Sequence, residues 1–159
     1  GLDIFAEVST ELKRRGVAHK VLVVGEGPAR DWFAEKVPDA VFTGFQSGDA
    51  LGRAVASMDV FFNPSVTETF GNVTTEAMAS AVPVVAARAT GAVDLVEDGV
   101  NGFLVPPRDV NAYADAIGRI VADPALRQSM GEAGHHKAAG YRWDTANRAV
   151  LNAYLGLRP

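Results

Sequence analysis

Five short apolar runs, separated by segments with helical periodicity, constrain the fold of this chain most. They cover residues 20–25, 40–44, 59–62, 83–87 and 102–105, and several end at glycine or at Asn63-Pro64. A continuous β-branched run such as the first is typical of a strand buried on both faces of a sheet. Strands of this kind that alternate with helices indicate βαβ units, and hence a parallel sheet with helices on both faces.

The intervening segments show apolar residues at helical spacing. Leu2, Phe5, Leu12 and Val17 give the first of these helical faces, which ends at Gly16, and Ser47 is the predicted N-cap of the helix before the third strand. The remaining helices are predicted over residues 28–36, 47–58, 72–81, 93–96, 109–122, 124–140 and 144–155. The last three follow one another without a strand. The 159 residues therefore predict one α/β domain with a helical C-terminal flank.

Composition excludes several classes of function. Fifteen basic against nineteen acidic residues give a net charge of −4, which disfavours binding to a nucleic-acid backbone. The chain has no cysteine, and its three histidines are not spaced as zinc ligands, so no metal site is expected. No apolar run is long enough to cross a bilayer, and no signal peptide opens the chain, so we expect a cytoplasmic protein.

Ligands of open α/β sheets bind where the strands end and the helices begin. The turn Gly25-Glu26-Gly27-Pro28 stands at such a point, but it matches neither the dinucleotide-binding glycine pattern nor a P-loop. One interpretation is a tight strand-to-helix turn. The other is a wall without side chains, against which a flat or phosphorylated ligand can lie.

The segment from Asn63 to Ala79 carries the most chemical information. Gly71 stands near the start of a predicted helix, so the amides of Gly71, Asn72 and Val73 are expected to form an anion site at the positive end of the helix dipole. Glu68 and Glu76 flank that site, and carboxylates accept hydrogen bonds from sugar hydroxyls. A ligand with phosphates between two polyols, such as a nucleotide sugar, fits all of these groups.

Taken singly, each of these residues also has an ordinary structural explanation. Glu68 can interact with the helix dipole from solvent, and Glu76 can be an exposed helix residue. Thr67 or Thr69 can serve as a cap, and Met78 and Ala79 can pack in the core.

The combined pattern resembles glycosyltransferase family 4. Glu68-Thr69-Phe70-Gly71, followed by the segment from Glu76 to Val85, resembles that family's Glu-x7-Glu signature. The resemblance extends over most of the chain, through segments in the family's order at residues 24–28, 42–45, 56–60 and 98–106. The family implies a retaining transferase with a GT-B fold, of which this chain resembles the Rossmann-like C-terminal half. The sequence around Glu68 most resembles that of GDP-mannose-dependent members of the family.

The resemblance implies a role for each part of the site. Glu68 is the implied catalytic residue and contacts the donor sugar together with Thr69, Phe70 and Gly71. Gly71, Asn72 and Val73 offer amides to the phosphates, and Glu76 holds the ribose. The residues that lie beside the base are Gly25, Gly27, Gly44 and Phe45. The family needs neither a divalent metal nor another cofactor, and its donor here would be GDP-mannose or a UDP-hexose.

The sequence departs from the family at two places. Ala81 stands where the family has glycine, which implies a local packing adjustment. The family's phosphate-binding Arg and Lys precede a glycine that matches Gly1, so we expect residues 1–159 to be a truncated donor-binding domain. It would lack the first strand of that domain and the N-terminal acceptor domain, and would be inactive alone.

Several alternatives remain open at this stage. One is a nucleotide-sugar epimerase of the GT-B type, and another is a non-catalytic regulatory α/β domain. Trp143, Tyr154 and Leu155 either stay partly exposed and favour self-association or pack on the domain's own sheet. Attachment of the parent enzyme to a membrane surface is also left open.

Overall fold

The computed structural model describes residues 1–141 and 143–156, which form eight helices and five strands. The helices are α1 (Leu2–Arg14), α2 (Arg30–Lys36), α3 (Gly48–Ala56), α4 (Asn72–Ala79), α5 (Ala92–Leu95), α6 (Val110–Ala122), α7 (Pro124–Ala138) and α8 (Trp143–Tyr154). The strands are β1 (Leu22–Val23), β2 (Val41–Phe42), β3 (Phe61–Asn63), β4 (Val84–Ala87) and β5 (Gly102–Val105).

The predicted α/β fold is confirmed, because strands and helices alternate and every strand pair is parallel. The strands nevertheless form two sheets, β1-β2 and β3-β4-β5, rather than one. Leu22 pairs with Val41 in the first sheet, and Val85 pairs with both Phe62 and Phe103 in the second.

The first two strands differ from their prediction. They were expected over residues 20–25 and 40–44, but each contains two paired residues. Leu22 and Val23 are half-buried, whereas burial on both faces was expected. The physical reason is that β1 has a hydrogen-bonded neighbour on one side only. By contrast, β4 lies between two strands, and all four of its residues are buried.

Helices cover both faces of the three-stranded sheet, and alternate residues of β4 divide the core. Val85 and Ala87 face a cluster that includes α1 and α6. Val84 and Ala86 face a second cluster formed mainly by α3, α4 and α5. The alternation follows from the period of two along a strand. A third cluster joins α1 and α2 beneath the two-stranded sheet, with Phe33 at its centre.

The end of α4 holds Ala81, which stands where the resemblance predicts glycine, in a conformation that favours glycine. Ala81 has φ +57°, in the left-handed region that favours glycine. The Val82 N–H donates to the Ala77 carbonyl, and the Ala81 N–H donates to the Met78 carbonyl, both at 3.0 Å. These two bonds form a Schellman motif, which requires a left-handed residue at the position of Ala81. The backbone conformation thus favours the glycine that the resemblance predicts, and the packing adjustment stays a prediction.

Helix ends show one further correction. Asp109 and Asp123 cap α6 and α7. Asp109 accepts from one backbone amide and Asp123 from two, all at 3.0 Å. Ser47 occupies the N-cap position of α3, as predicted, but its side chain makes no capping hydrogen bond.

The C-terminal flank is helical, as predicted. In α8 and just beyond it, Tyr154 and Leu155 are 89% and 62% exposed, so these two do not pack on the sheet. The same prediction named Trp143, whose side chain is not among those that the structure describes. None of the described helices is both long enough and apolar enough to cross a membrane.

Candidate functional site

The loop that follows β3 carries Glu68 at the carboxyl end of the sheet. Asn63, the last residue of β3, holds this loop with both ends of its amide side chain. Its Oδ1 accepts from the Ser65 N–H at 3.1 Å, and its Nδ2 lies 3.5 Å from Glu68 Oε1. Glu68 is half-buried, so part of its carboxylate remains open to a ligand.

A second loop, between β4 and α5, supports the first from behind. The Gly91 N–H donates to the Glu68 carbonyl at 3.1 Å. A Cβ at position 91 would lie 2.9 Å from the Phe70 carbonyl oxygen and 3.0 Å from that of Thr69. Only glycine permits this approach of two backbones, so Gly91 positions the predicted sugar-contacting residues.

The start of α4 has the geometry of an anion site. Gly71 takes φ +90° at the N-cap, and no side chain caps the helix. The first-turn amides, which include those of Asn72 and Val73, therefore lack intrahelical partners and a side-chain acceptor, and the helix dipole adds positive potential there. Asn72 and Val73 are exposed. The buried hydroxyl of Thr74 also has no hydrogen-bond partner within the described part of the chain.

The glycine turns after β1 and β2 lie side by side. The Gly25 N–H donates to the Gly44 carbonyl at 2.8 Å, and both residues have positive φ. The Phe45 ring next to them is 76% exposed, so its face is available to a flat ligand. These contacts bring together three of the four residues predicted to lie beside a base.

A cavity of about 1000 Å³ brings the fourth of these residues close to the predicted ribose ligand. Gly25, Gly27, Val73 and Glu76 all line it, and the Glu76 carboxylate is exposed. The structure therefore places the glycine turn and α4 on a common space. The other predicted site residues are not part of the lining: Gly44, Phe45, Glu68, Thr69, Phe70, Gly71 and Asn72.

Sequence reasoning named no site residue in the β4–α5 loop. The signal for Gly91 was its place just after a buried strand in a loop at the carboxyl edge. Asn63 was named as a strand stop, and its role as an Asx-type loop support was missed. Tyr141 was missed because its contact is long-range: its ring meets that of Phe70 edge-to-face at 5.9 Å.

Among residues 1–141 and 143–156, no group of three His, Asp or Glu side chains is placed to hold a metal ion.

Curated proteins similar to this chain are sugar transferases. It is 33% identical over 135 residues to a GDP-mannose-dependent alpha-mannosyltransferase of Corynebacterium glutamicum, which covers 85% of this chain and 33% of that protein. It is 37% identical over 138 residues to the sulfoquinovosyl transferase SQD2 of Arabidopsis thaliana, covering 84% of this chain and 27% of that protein. The chain thus spans a third or less of the length of these two relatives.

Solved structures give the same result. A sucrose-phosphate synthase from Thermosynechococcus elongatus superposes with a TM-score of 0.83 at 28% identity, covering 96% of this chain and 42% of the other. A TarM variant from S. aureus, in complex with fondaparinux, alpha-GlcNAc-glycerol and UDP, superposes with a TM-score of 0.85 at 25% identity. That match covers 98% of this chain and 32% of the other.

These neighbours are GT-B enzymes, which agrees with the parallel α/β architecture described above. The family described as glycosyl transferases group 1 matches residues 1–123, which is most of the chain. The resemblance carried by Glu68, Gly71 and Glu76 is thereby confirmed at the level of the family, and this chain belongs to the group 1 glycosyltransferases.

Proposed function

We propose that this chain is the donor-binding domain of a retaining glycosyltransferase that moves a hexosyl group from a nucleotide-diphosphate sugar to a hydroxyl acceptor. The observation that carries the proposal is the uncapped N-terminus of α4 at Gly71, with Glu68 before it and Glu76 within it. A nucleotide-sugar ligand is supported by the relative named as a GDP-mannose-dependent mannosyltransferase and by the TarM structure in complex with UDP.

In this proposal the diphosphate lies against the first turn of α4. The amides of Asn72 and Val73 donate to its oxygens, and the helix dipole opposes its charge. Gly71 has no Cβ, so the ligand can approach its backbone closely. As the sugar leaves, negative charge grows on the diphosphate, and amides already in position stabilise that charge more than water would.

The nucleoside occupies the space between α4 and the two glycine turns. Glu76 accepts hydrogen bonds from both ribose hydroxyls, as its exposed carboxylate on the cavity allows. The base lies along Gly25, Gly27 and Gly44, with the exposed Phe45 ring beside it.

Glu68 contacts the sugar hydroxyls and stabilises positive charge that develops at the anomeric carbon. The bond from that carbon to the diphosphate oxygen breaks, and the acceptor oxygen bonds to the same face. The acceptor's proton is taken up by the departing diphosphate. We propose that this reaction uses no metal and no cofactor.

The remaining parts of the enzyme are proposed to lie outside residues 1–159. An acceptor domain would form the other wall of the cleft, and cationic side chains would add to the phosphate site. The isolated chain is therefore expected to bind a nucleotide at most weakly and to transfer no sugar. The natural protein is expected to act in the cytoplasm.

Binding titrations of GDP, UDP and ADP against the natural protein test the proposal. Glu76→Ala should weaken binding of the preferred nucleotide about 10–100-fold, because hydrogen bonds to a charged group contribute about 1.5–3 kcal/mol. Glu35→Ala, which removes an exposed carboxylate from α2, is the matched control and should leave binding unchanged. Equal affinity of the Glu76→Ala variant and the control would contradict the proposed ribose site.

A further inference from the structure

The Phe70 ring has an aromatic partner from a distant part of the chain. It meets the ring of Tyr141 edge-to-face, with the ring centroids 5.9 Å apart and the ring planes at 88°. The two residues are 50% and 44% exposed, and neither belongs to one of the three core clusters. Core packing therefore does not account for the contact.

The contact reaches the loop that carries the predicted sugar-contacting residues. We call residues 64–71 the Glu68 loop. Gly91 holds its backbone, through the hydrogen bond to the Glu68 carbonyl and the close approach to the Phe70 carbonyl. Tyr141 instead holds a side chain. Phe70 is thus fixed at its carbonyl by one segment and at its ring by another.

Tyr141 stands on a rigid support. Its N–H donates at 3.0 Å to the carbonyl of Ala138, the buried last residue of α7. Further back along α7, His135 Nδ1 lies 2.7 Å from the Ala79 carbonyl at the end of α4. Tyr141 then reaches Phe70, just before α4 begins. Helix α7 therefore runs antiparallel to α4, and the segment that ends at Tyr141 contacts both ends of α4.

An edge-to-face contact orients the two rings that it joins, because the positive edge of one ring faces the negative face of the other. The orientation of the Phe70 ring restricts the torsion angles of a residue that stands between Thr69 and Gly71 in the chain. A fixed Phe70 ring therefore limits the positions of the peptide groups on either side of it.

From these contacts we infer that Tyr141 is a positioning residue for the donor sugar, acting through Phe70 on the peptide groups of residues 69–71. The inference rests on the proposed function for the identity of the ligand. It concerns a residue outside positions 1–123, which the family match covers. Binding of the nucleoside should not depend on Tyr141, because Glu76 and the glycine turns that are proposed to hold it lie outside the Glu68 loop.

Amide hydrogen exchange of the natural protein, resolved by NMR, measures this positioning without a ligand. Tyr141→Leu should speed exchange of the Gly91 amide, which donates to the Glu68 carbonyl, by about 2–10-fold, as expected for the loss of one aromatic pair. The Val96 amide, which donates to the Ala92 carbonyl at the end of α5, is the internal reference. Tyr141→Phe keeps the ring and should keep the slow exchange.

Two comparisons separate the ring contact from a general loss of stability. Tyr154→Leu makes the same substitution at a tyrosine that is 89% exposed, and it should leave exchange of the Gly91 amide unchanged. Tyr141→Leu should have no further effect in a Phe70→Leu background, because the ring contact is already absent there.

Binding titrations of the natural protein test the consequence for the sugar. GDP-mannose is compared with GDP, and UDP-glucose with UDP. For the pair that binds, Tyr141→Leu should weaken binding of the sugar nucleotide about 2–10-fold more than binding of the nucleoside diphosphate. Glu76→Ala should weaken binding of both members of the pair alike.

Four results would overturn the inference. An unchanged ratio of Gly91 to Val96 exchange in Tyr141→Leu would show that the contact does not hold the loop. Faster Gly91 exchange in Tyr141→Phe, or a further effect of Tyr141→Leu in the Phe70→Leu background, would show that the two rings do not carry the effect. Equal weakening of the sugar nucleotide and the diphosphate would make Tyr141 a general structural residue. If neither pair of nucleotides binds, the proposed function fails, and the exchange ratios alone decide whether Tyr141 positions the loop.

Discussion

Ala81→Gly is expected to stabilise the protein, although it removes a methyl group. Ala81 is held at φ +57° by the Schellman bonds at the end of α4. Its backbone has little room to relax, because a Cβ at Gly131 of α7 would lie only 2.1 Å from the Ala81 carbonyl oxygen. The left-handed conformation is therefore imposed on an L-residue that disfavours it.

The size of the effect follows from two opposing contributions. The left-handed region costs an L-residue about 1–2 kcal/mol, which glycine avoids. Glycine also gives the unfolded chain more freedom, which costs about 0.4–1 kcal/mol of stability. The net stabilisation should be about 0.5–1 kcal/mol, or about 1–4 °C in Tm for a domain of this size.

Urea unfolding of the variant and of a matched control measures this difference. Ala139→Gly makes the same substitution at another exposed helix end, where φ is −59°. No strain is relieved there, so the control should lose about 0.5–1 kcal/mol. If Ala81→Gly loses as much stability as Ala139→Gly, the argument from backbone strain is refuted.

Three further predictions concern a site glycine and two titrating groups. Gly71→Ala gives a left-handed residue a Cβ that lies 2.9 Å from a buried leucine methyl, whereas the Cβ added by Gly99→Ala meets open space. Urea unfolding should therefore show a larger loss of stability for Gly71→Ala, which should also weaken nucleotide binding. Equal losses of stability in the two variants would contradict the close contact. Burial raises the pKa of Tyr113 to about 12, so stability should fall as pH rises from about 10 towards 12; Tyr113→Phe should remove this fall, which urea unfolding at several pH values measures. Hydrogen bonds from two neighbouring arginines lower the pKa of Glu11 to about 2, so the stability that the ionised carboxylate contributes should be lost as pH falls from 4.5 towards 2. Acid unfolding of Glu11→Gln should lack this pH dependence. An acid transition identical to that of the unsubstituted protein would contradict the role of Glu11.

Local sequence signals predicted the elements of the fold well, but not how the sheet is divided. The continuous apolar runs located all five strands because burial on both faces leaves a strong compositional pattern. The same pattern overestimated β1 and β2, since a strand's length depends on neighbours that its own residues do not reveal. The missing capping hydrogen bond of Ser47 was also not predictable, because residue type favours a cap without fixing the side-chain rotamer.

For the candidate site, sequence reasoning located the loops and the charged residues. Gly71 at the start of a helix, with Glu68 and Glu76 around it, was readable from spacing alone. The pairing of Gly25 with Gly44, and the contact of Tyr141 with Phe70, depend on tertiary packing between distant segments. The assignment of roles to individual residues, and of residues 1–159 to one truncated donor-binding domain, stays a prediction.

The most direct test of the proposed donor site is an NMR titration of the natural protein with its preferred nucleoside diphosphate. The account predicts that the amides of Asn72 and Val73 shift most, at the uncapped start of α4, and that those of Gly25 and Gly44 shift with the same dissociation constant. Saturable binding that leaves these four amides unmoved, with shifts confined to other parts of the chain, would contradict the donor site at the carboxyl edge of the sheet.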